Sequence, residues 1–356
     1  MLTLSPDLTR LGAYTRDEPP KLKPFAVLNL LTLLLLPCAG QQKPAMRMED
    51  RVRIREAETI SRFYGENVWK GISKAPFAVI LVDDSLEFLI NHSSPSKDFR
   101  SLGYDSLLNT RVYYRKPVFD KHFLATFPAV NGVNTIVVGT PENTGKNSTD
   151  WIITLLHEHF HQFVNSSPGY YSAVNELDLS GGDQSGMWML NYRFPYADSV
   201  ISSQYKNYTG ALSEALSKAA ADSFTVCFAR YARERKRFQE LLKPPEYRYF
   251  SFQVWQEGIA RYTEYKFLEL LNGYEPSKDV SNLPDFVPFE TFRETFYKTH
   301  ANRITSWSLS KHGRECFYAV GLGEGLILDR LNPSWREKYL TDKFYLEHYA
   351  VEFQRE

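Results

Sequence analysis

One pentapeptide constrains this chain more than any other feature: His157-Glu158-His159-Phe160-His161. Asn147, Ser148, Thr149 and Asp150 offer helix caps before it, and Ser166-Ser167-Pro168-Gly169 closes the segment after Asn165. Together they predict a helix over 150–165. In a helix of about 3.6 residues per turn, positions i and i+4 leave the same face one turn apart. His157 and His161 can therefore address one ion. Glu158 lies about 100° round from His157, where it reaches a water on the ion without binding the ion itself. Two imidazoles on a metal and a carboxylate that takes a proton are the elements of zinc-assisted hydrolysis. His159, about 200° away on the wheel, cannot share that ion and is expected to pack on the buried side. Thr154, His157, Glu158, His161 and Asn165 form a polar strip. Ile152, Leu155, Leu156, Phe160 and Phe163 cover the rest, so the helix is expected to be buried as a cleft floor.

A hydrolytic zinc keeps a third protein ligand and one open position. No Gly and His follow His161 at metzincin spacing. Downstream, the run Trp255-Gln256-Glu257-Gly258-Ile259-Ala260-Arg261-Tyr262-Thr263-Glu264 resembles the segment that supplies the glutamate ligand in gluzincin peptidases. The nearest likeness is to the aminopeptidase-N-like group, with its Glu-Gly-x-Ala-x-x-x-Glu pattern. That resemblance implies Glu257 as third ligand, with Glu264 orienting a ligand histidine from behind. Tyr318-Ala319-Val320-Gly321 resembles that group's Tyr-x-x-Gly segment and implies Tyr318 as the hydrogen-bond donor to the oxyanion. His312 is a rival electrophile. The chain departs from the pattern in placing Glu257 96 positions after His161. The substrate loop of those enzymes has only a poor counterpart in Asn131-Gly132-Val133-Asn134.

The remaining sequence bounds the setting. Lys plus Arg and Asp plus Glu both number 42, so there is no basic excess of the kind a nucleic-acid partner calls for. The basic run Arg230 to Arg237 reads as a solvated helix face. Lys21 and Lys23 precede the 12-residue apolar run Phe25 to Leu36, which has the length of a secretory signal rather than a membrane span. Residues 1–40 are thus expected to be an export signal, the polar stretch 1–20 pointing to a start codon placed too early. Cleavage after Gly40 competes with lipidation at Cys38, and an uncleaved anchor is a third alternative. The expected protein is exported: secreted, periplasmic or tethered to a membrane by its N-terminus. Cys227 and Cys316 are expected as buried free thiols, a disulfide being the alternative.

Residues 41–356 then read as one zincin-like α+β domain. A small twisted sheet and the motif helix form a lobe over about 51–168, and a mainly helical lobe covers about 169–356. Strands are expected at 77–82, 86–90, 111–118 and 133–139, and helices at 51–70, 209–242, 250–272, 312–331 and 334–352. The irregular, aromatic stretch Leu177 to Tyr196 is expected to cap the cleft. The expected function is a zinc metallopeptidase: His157, His161 and Glu257 hold Zn2+, Glu158 is the general base, and the partner is a peptide or protein substrate. A non-catalytic exported protein with a structural zinc, or a surface-binding protein with an accidental motif, are the rival readings.

Overall fold

The computed structural model describes residues 44–351. The export-signal reading, with Cys38, falls on residues outside that range. Among the described residues no helix is long and apolar enough to cross a membrane.

The chain enters with α1 (Met48–Val68) and then builds six strands: β1 (Val79–Val82), β2 (Glu87–Ile90), β3 (Arg100–Asp105), β4 (Thr110–Arg115), β5 (Leu124–Val130) and β6 (Val133–Gly139). Their order across the sheet is β3-β4-β2-β1-β6-β5. Only β1 and β6 run parallel, with Ile80 opposite Val137. Val79, Leu81, Ile136 and Val138 face the main core, while Ile80, Val82 and Val137 alternate to the other side. There they pack with Phe99 and the half-buried Phe119, Phe123 and Phe127. The motif helix α2 (Ser148–Asn165) follows β6 and packs on β5 and β6. Of the four capping candidates it uses Asn147, whose side chain accepts from the Asp150 N–H at 2.8 Å.

The remaining long helices are α3 (Ser199–Ser217), α4 (Phe224–Leu241), α5 (Pro244–Gln253), α6 (Ile259–Leu270), α7 (Phe289–Ser306) and α8 (Cys316–Leu331). A π-helical turn, Val254–Gly258, joins α5 to α6 without a break. This is an α+β protein with one mixed sheet.

Several elements differ from the sequence expectation, each for a physical reason. The helix expected over 209–242 starts ten residues earlier, at Ser199, and is divided into α3 and α4. Ala219-Ala220-Ala221 favours helix, but Tyr208 must stack on Tyr231 and Phe238, 6.0 and 5.6 Å away, so the chain turns back instead. The helix expected over 334–352 is absent; only short 3-10 turns occur, Trp335–Glu337 and Leu346–Tyr349. Phe344 is buried there with its backbone in the left-handed region at φ 76°, which an α-helix does not contain, and on a helical wheel it would lie about 180° from the likewise buried Trp335. Strand β5 has no counterpart in the sequence expectation; its Pro128 lacks a ladder donor and is tolerated at a sheet edge, beside the irregularity between Phe127 and Val130. Strand β3 likewise carries Gly103, in the left-handed region at φ 117°, at a bulge. Helix α7 also had no counterpart in the sequence reading. Cys227 and Cys316 are free thiols.

An aromatic stack ties α2 to the π turn. Trp69 lies 5.2 Å from Phe160 and 4.8 Å from Tyr339. Tyr339 in turn stacks on Trp255 at 4.3 Å and donates its hydroxyl to the Trp255 carbonyl at 2.6 Å. Phe160 precedes His161 and Trp255 lies two residues before Glu257, so the stack fixes the two chain segments that bear the site. On the other flank, the π turn meets α8 backbone to backbone. A Cβ on Gly258 would lie 2.5 Å from the Gly321 Cα, and one on Gly321 would lie 2.4 Å from the Gly258 Cα. No rotamer relieves a backbone clash, so Gly321→Ala should cost about 3 kcal/mol or more. Urea unfolding of that variant against Gly210→Ala, where a Cβ meets nothing within 4 Å, measures the difference; equal midpoints would refute the contact.

Candidate metal centre

Helix α2 brings its two outer histidines together as the spacing requires. His157 Nε2 and His161 Nε2 are 3.1 Å apart. The π turn places Glu257 Oε2 at 3.7 Å from each of them. These three atoms form a triangle with a point roughly 2 Å from every corner, close to the bond length of a first-row divalent metal to imidazole nitrogen or carboxylate oxygen. Among the described residues His157, His161 and Glu257 are the group of metal-type ligands that converges in this way, with ligand atoms all within 4.8 Å of one another. Both imidazoles are buried and Glu257 keeps partial access to solvent.

Glu264, one face along α6, lies behind His157. Its Oε1 meets His157 Nδ1 at 2.6 Å, which leaves Nε2 pointing at the triangle. Arg261 Nη1 in turn donates to both Glu264 oxygens, at 2.8 and 2.9 Å. Burial pushes the Glu264 carboxyl up, yet Arg261 and His157 outweigh it and hold it down at about 2. Burial likewise opposes a charged His157, but Glu264 and Glu257 overcome it and raise the imidazole to about 9. Glu257 is held well below the usual carboxylate range by the two imidazoles, against its own burial. His161 has no matching support: its Nδ1 is buried without a hydrogen-bond partner. The centre is therefore anchored mainly through His157.

Glu158, next to His157 in the chain, is buried and is held from the sheet. Thr126 on the edge strand β5 donates its hydroxyl to Glu158 Oε2 at 2.8 Å, with the Glu158 carbonyl oxygen 3.0 Å from the same hydroxyl. His159 points the other way. Its Nδ1 meets Gln162 at 2.9 Å, its ring lies 4.7 Å from Phe77, and burial lowers it to about 4.

Tyr318, on the first turn of α8, lies close enough to Glu257 for that carboxylate to raise its hydroxyl further, on top of the effect of burial. Arg314 donates to the Tyr318 hydroxyl. His312 is not part of this group: its ring stacks on Trp307 at 4.6 Å and its Nδ1 stays with Ser308. The stretch 177–196 packs on α5 rather than hanging free. Met189 O accepts from Tyr249 and Gln253, and Tyr192 stacks on Tyr249 at 4.4 Å.

Thr126, Arg261 and Arg314 were not singled out from the sequence. Arg261 stands three residues before Glu264 and Arg314 four before Tyr318, spacings that mark neighbours on a helix. Thr126 carries no such signal, because its partner is 32 residues away. No protein-family model matches the chain, and neither does any curated protein or solved structure.

His300 on α7 offers a test of the packing behind the centre. It is 6% exposed; its Nδ1 lies 2.9 Å from the Phe296 carbonyl, and its Nε2 accepts from Arg303 at 3.4 Å. That arrangement suits the neutral ring, and burial, with Arg261 and Arg303 adding to it, lowers its pKa to about 4. The unfolded chain binds this proton near pH 6.5 and the folded chain only near 4, so stability is lost as the pH falls through that window. The loss from this group is on the order of 3 kcal/mol. Thermal melts of wild type and His300→Gln between pH 7 and 4 should therefore converge toward acid; parallel curves would contradict the assignment.

Proposed function

We propose that the protein is a zinc-dependent hydrolase, and specifically a metallopeptidase of gluzincin type. The observation that carries this reading is the His157–His161–Glu257 triangle, in which a residue far along the chain meets both motif histidines at 3.7 Å. Two imidazoles and a carboxylate are a common ligand set for hydrolytic zinc, and the near absence of thiols disfavours a closed structural site. A zinc ion held there would acidify water and polarise a carbonyl.

The protein's own residues do the rest. Glu158 takes a proton from the attacking water and later delivers it to the leaving amine. Thr126 holds one Glu158 oxygen, which leaves the other free for that proton. Glu264 and Arg261 fix the His157 tautomer, with Nδ1 protonated and Nε2 free to bind. Tyr318 donates to the oxyanion that forms on the scissile carbonyl. Strand β5 is a sheet edge beside Glu158, where an extended peptide can add to the ladder. The expected setting is outside the cytoplasm, on the strength of residues 21–40.

Metal analysis of the purified chain should find one zinc. His161→Ala should abolish its retention, and Glu264→Gln should weaken affinity about 10- to 100-fold, read by competition with a chromogenic chelator; a His161→Ala variant that keeps the metal would remove the site. Glu158→Gln should hold zinc as the parent does while cleavage of a quenched-fluorescent peptide library slows by about 10² to 10⁴. A zinc-loaded parent that cuts no peptide would leave a metal site without the proposed activity.

A further inference from the structure

Arg314 is a cation without an anion. It sits in the 3-10 turn Gly313–Glu315 at the start of α8, partly buried, and its hydrogen bond goes to the Tyr318 hydroxyl. Among the described residues no carboxylate oxygen comes within the 4.0 Å of an ion pair. More deeply buried arginines have carboxylate partners: Arg235 has Glu324 and Glu347, and Arg53 has Asp50. Of the half-buried ones, Arg261 pairs with Glu264, while Arg248, Arg303 and Arg336 spend hydrogen bonds on Leu177 O, His300 and Val68 O, and Arg314 spends its own on a phenol that can itself donate. A guanidinium withdrawn from water and left unpaired is costly, so such a group is retained where a partner arrives from outside.

Its surroundings show where that partner arrives. Arg314 is near enough to Glu257 for the two charges to interact, and its charge also reaches Tyr196, Tyr249 and Tyr318. Its guanidinium carbon lies 5.5 Å from the centre of the Tyr318 ring, and that of Arg261, which holds Glu264 behind His157, lies 5.8 Å from the same ring. The charge count on the zinc reading points the same way. The ion offsets Glu257 and Glu158, Arg261 offsets Glu264, and Arg314 leaves one positive charge in excess. A guanidinium has five N–H donors in a planar fork, and Tyr318 takes one of them. The fork suits a carboxylate bidentately.

Resting on the reading of the triangle as a zinc site, we propose that Arg314 captures a carboxylate of the peptide substrate. Because Arg314 bonds to the same phenol that faces the reacting carbonyl, the carboxylate belongs within about two residues of the scissile bond, at roughly 3.3 Å per residue of extended chain. Either a free C-terminus or an acidic side chain carries this chemistry. Tyr318 accepts from Arg314 and so keeps its own proton for the oxyanion.

The test uses the zinc-loaded full chain carrying Glu158→Gln, so that ligands are bound without turnover, with zinc content measured beside each titration. Four probes are titrated: Ala-Ala-Phe as the acid and as the C-terminal amide, and the amides of Ala-Asp-Phe and Ala-Asn-Phe. At least one acid should bind about tenfold more tightly than its neutral counterpart; the first pair reports a C-terminal carboxylate and the second a side chain. Adding Arg314→Gln should bring that ratio to about one with zinc content unchanged, and Arg314→Lys, which keeps the charge but not the fork, should fall between. Equal binding of acid and neutral probes, no binding of any, or a preference that survives Arg314→Gln would overturn the proposal. Chains that hold no zinc would instead overturn the metal-centre reading beneath it.

Discussion

The contact between Gly258 and Gly321 is the constraint on which the site depends. Two helical segments can approach this closely only where neither carries a side chain, and the backbone atoms there would meet any Cβ at about 2.5 Å. The contact brings the π turn, with Glu257, against the first turns of α8, which carry Tyr318 just after the 3-10 turn that bears Arg314. From the other side, the stack through Trp255, Tyr339, Trp69 and Phe160 joins the same π turn to α2. The metal-type ligands are thus held by packing on both flanks, which is how a constellation keeps its geometry without a loop to support it.

The electrostatics follow from that packing. A buried carboxylate such as Glu264 is tolerable only with matched donors, and it has them in His157 and Arg261. The same pairing fixes which nitrogen of His157 faces the triangle. Elsewhere the helical part repeats the rule: Glu324, 1% exposed, receives the hydroxyls of Tyr208 and Tyr231 and the Nε of Arg235. Arg314, by contrast, hydrogen-bonds to the Tyr318 hydroxyl rather than to a carboxylate.

Much of the centre was legible in the sequence because it is local. The i, i+4 relation of His157 and His161 follows from helical geometry alone, as does the exclusion of His159. The Glu257 and Glu264 pair could be read from one decapeptide for the same reason. What failed were readings that treated local propensity as decisive. The helix expected over 209–242 is interrupted by a turn at 218–223, and the one expected over 334–352 does not form. In both places burial of aromatic rings against distant partners decided the backbone instead. The edge strand β5 had no counterpart in the sequence expectation, since Pro128 within a run is compatible with a strand only at an edge that the chain alone does not reveal, and Thr126 was lost with it.

The sequence by itself determined which residues can share a helical face: two histidines aimed at one point, a glutamate beside them, and a second glutamate a fixed number of turns from a third. These are properties of a repeating backbone, and they need no partner. Only the tertiary structure decided that Glu257 lies 3.7 Å from both histidines, that Thr126 holds Glu158, and that Gly258 meets Gly321 backbone to backbone. Each of those joins segments far apart in the chain, and such meetings are set by how glycine contacts, stacked rings and a sheet edge pack together, which no single helix or strand encodes.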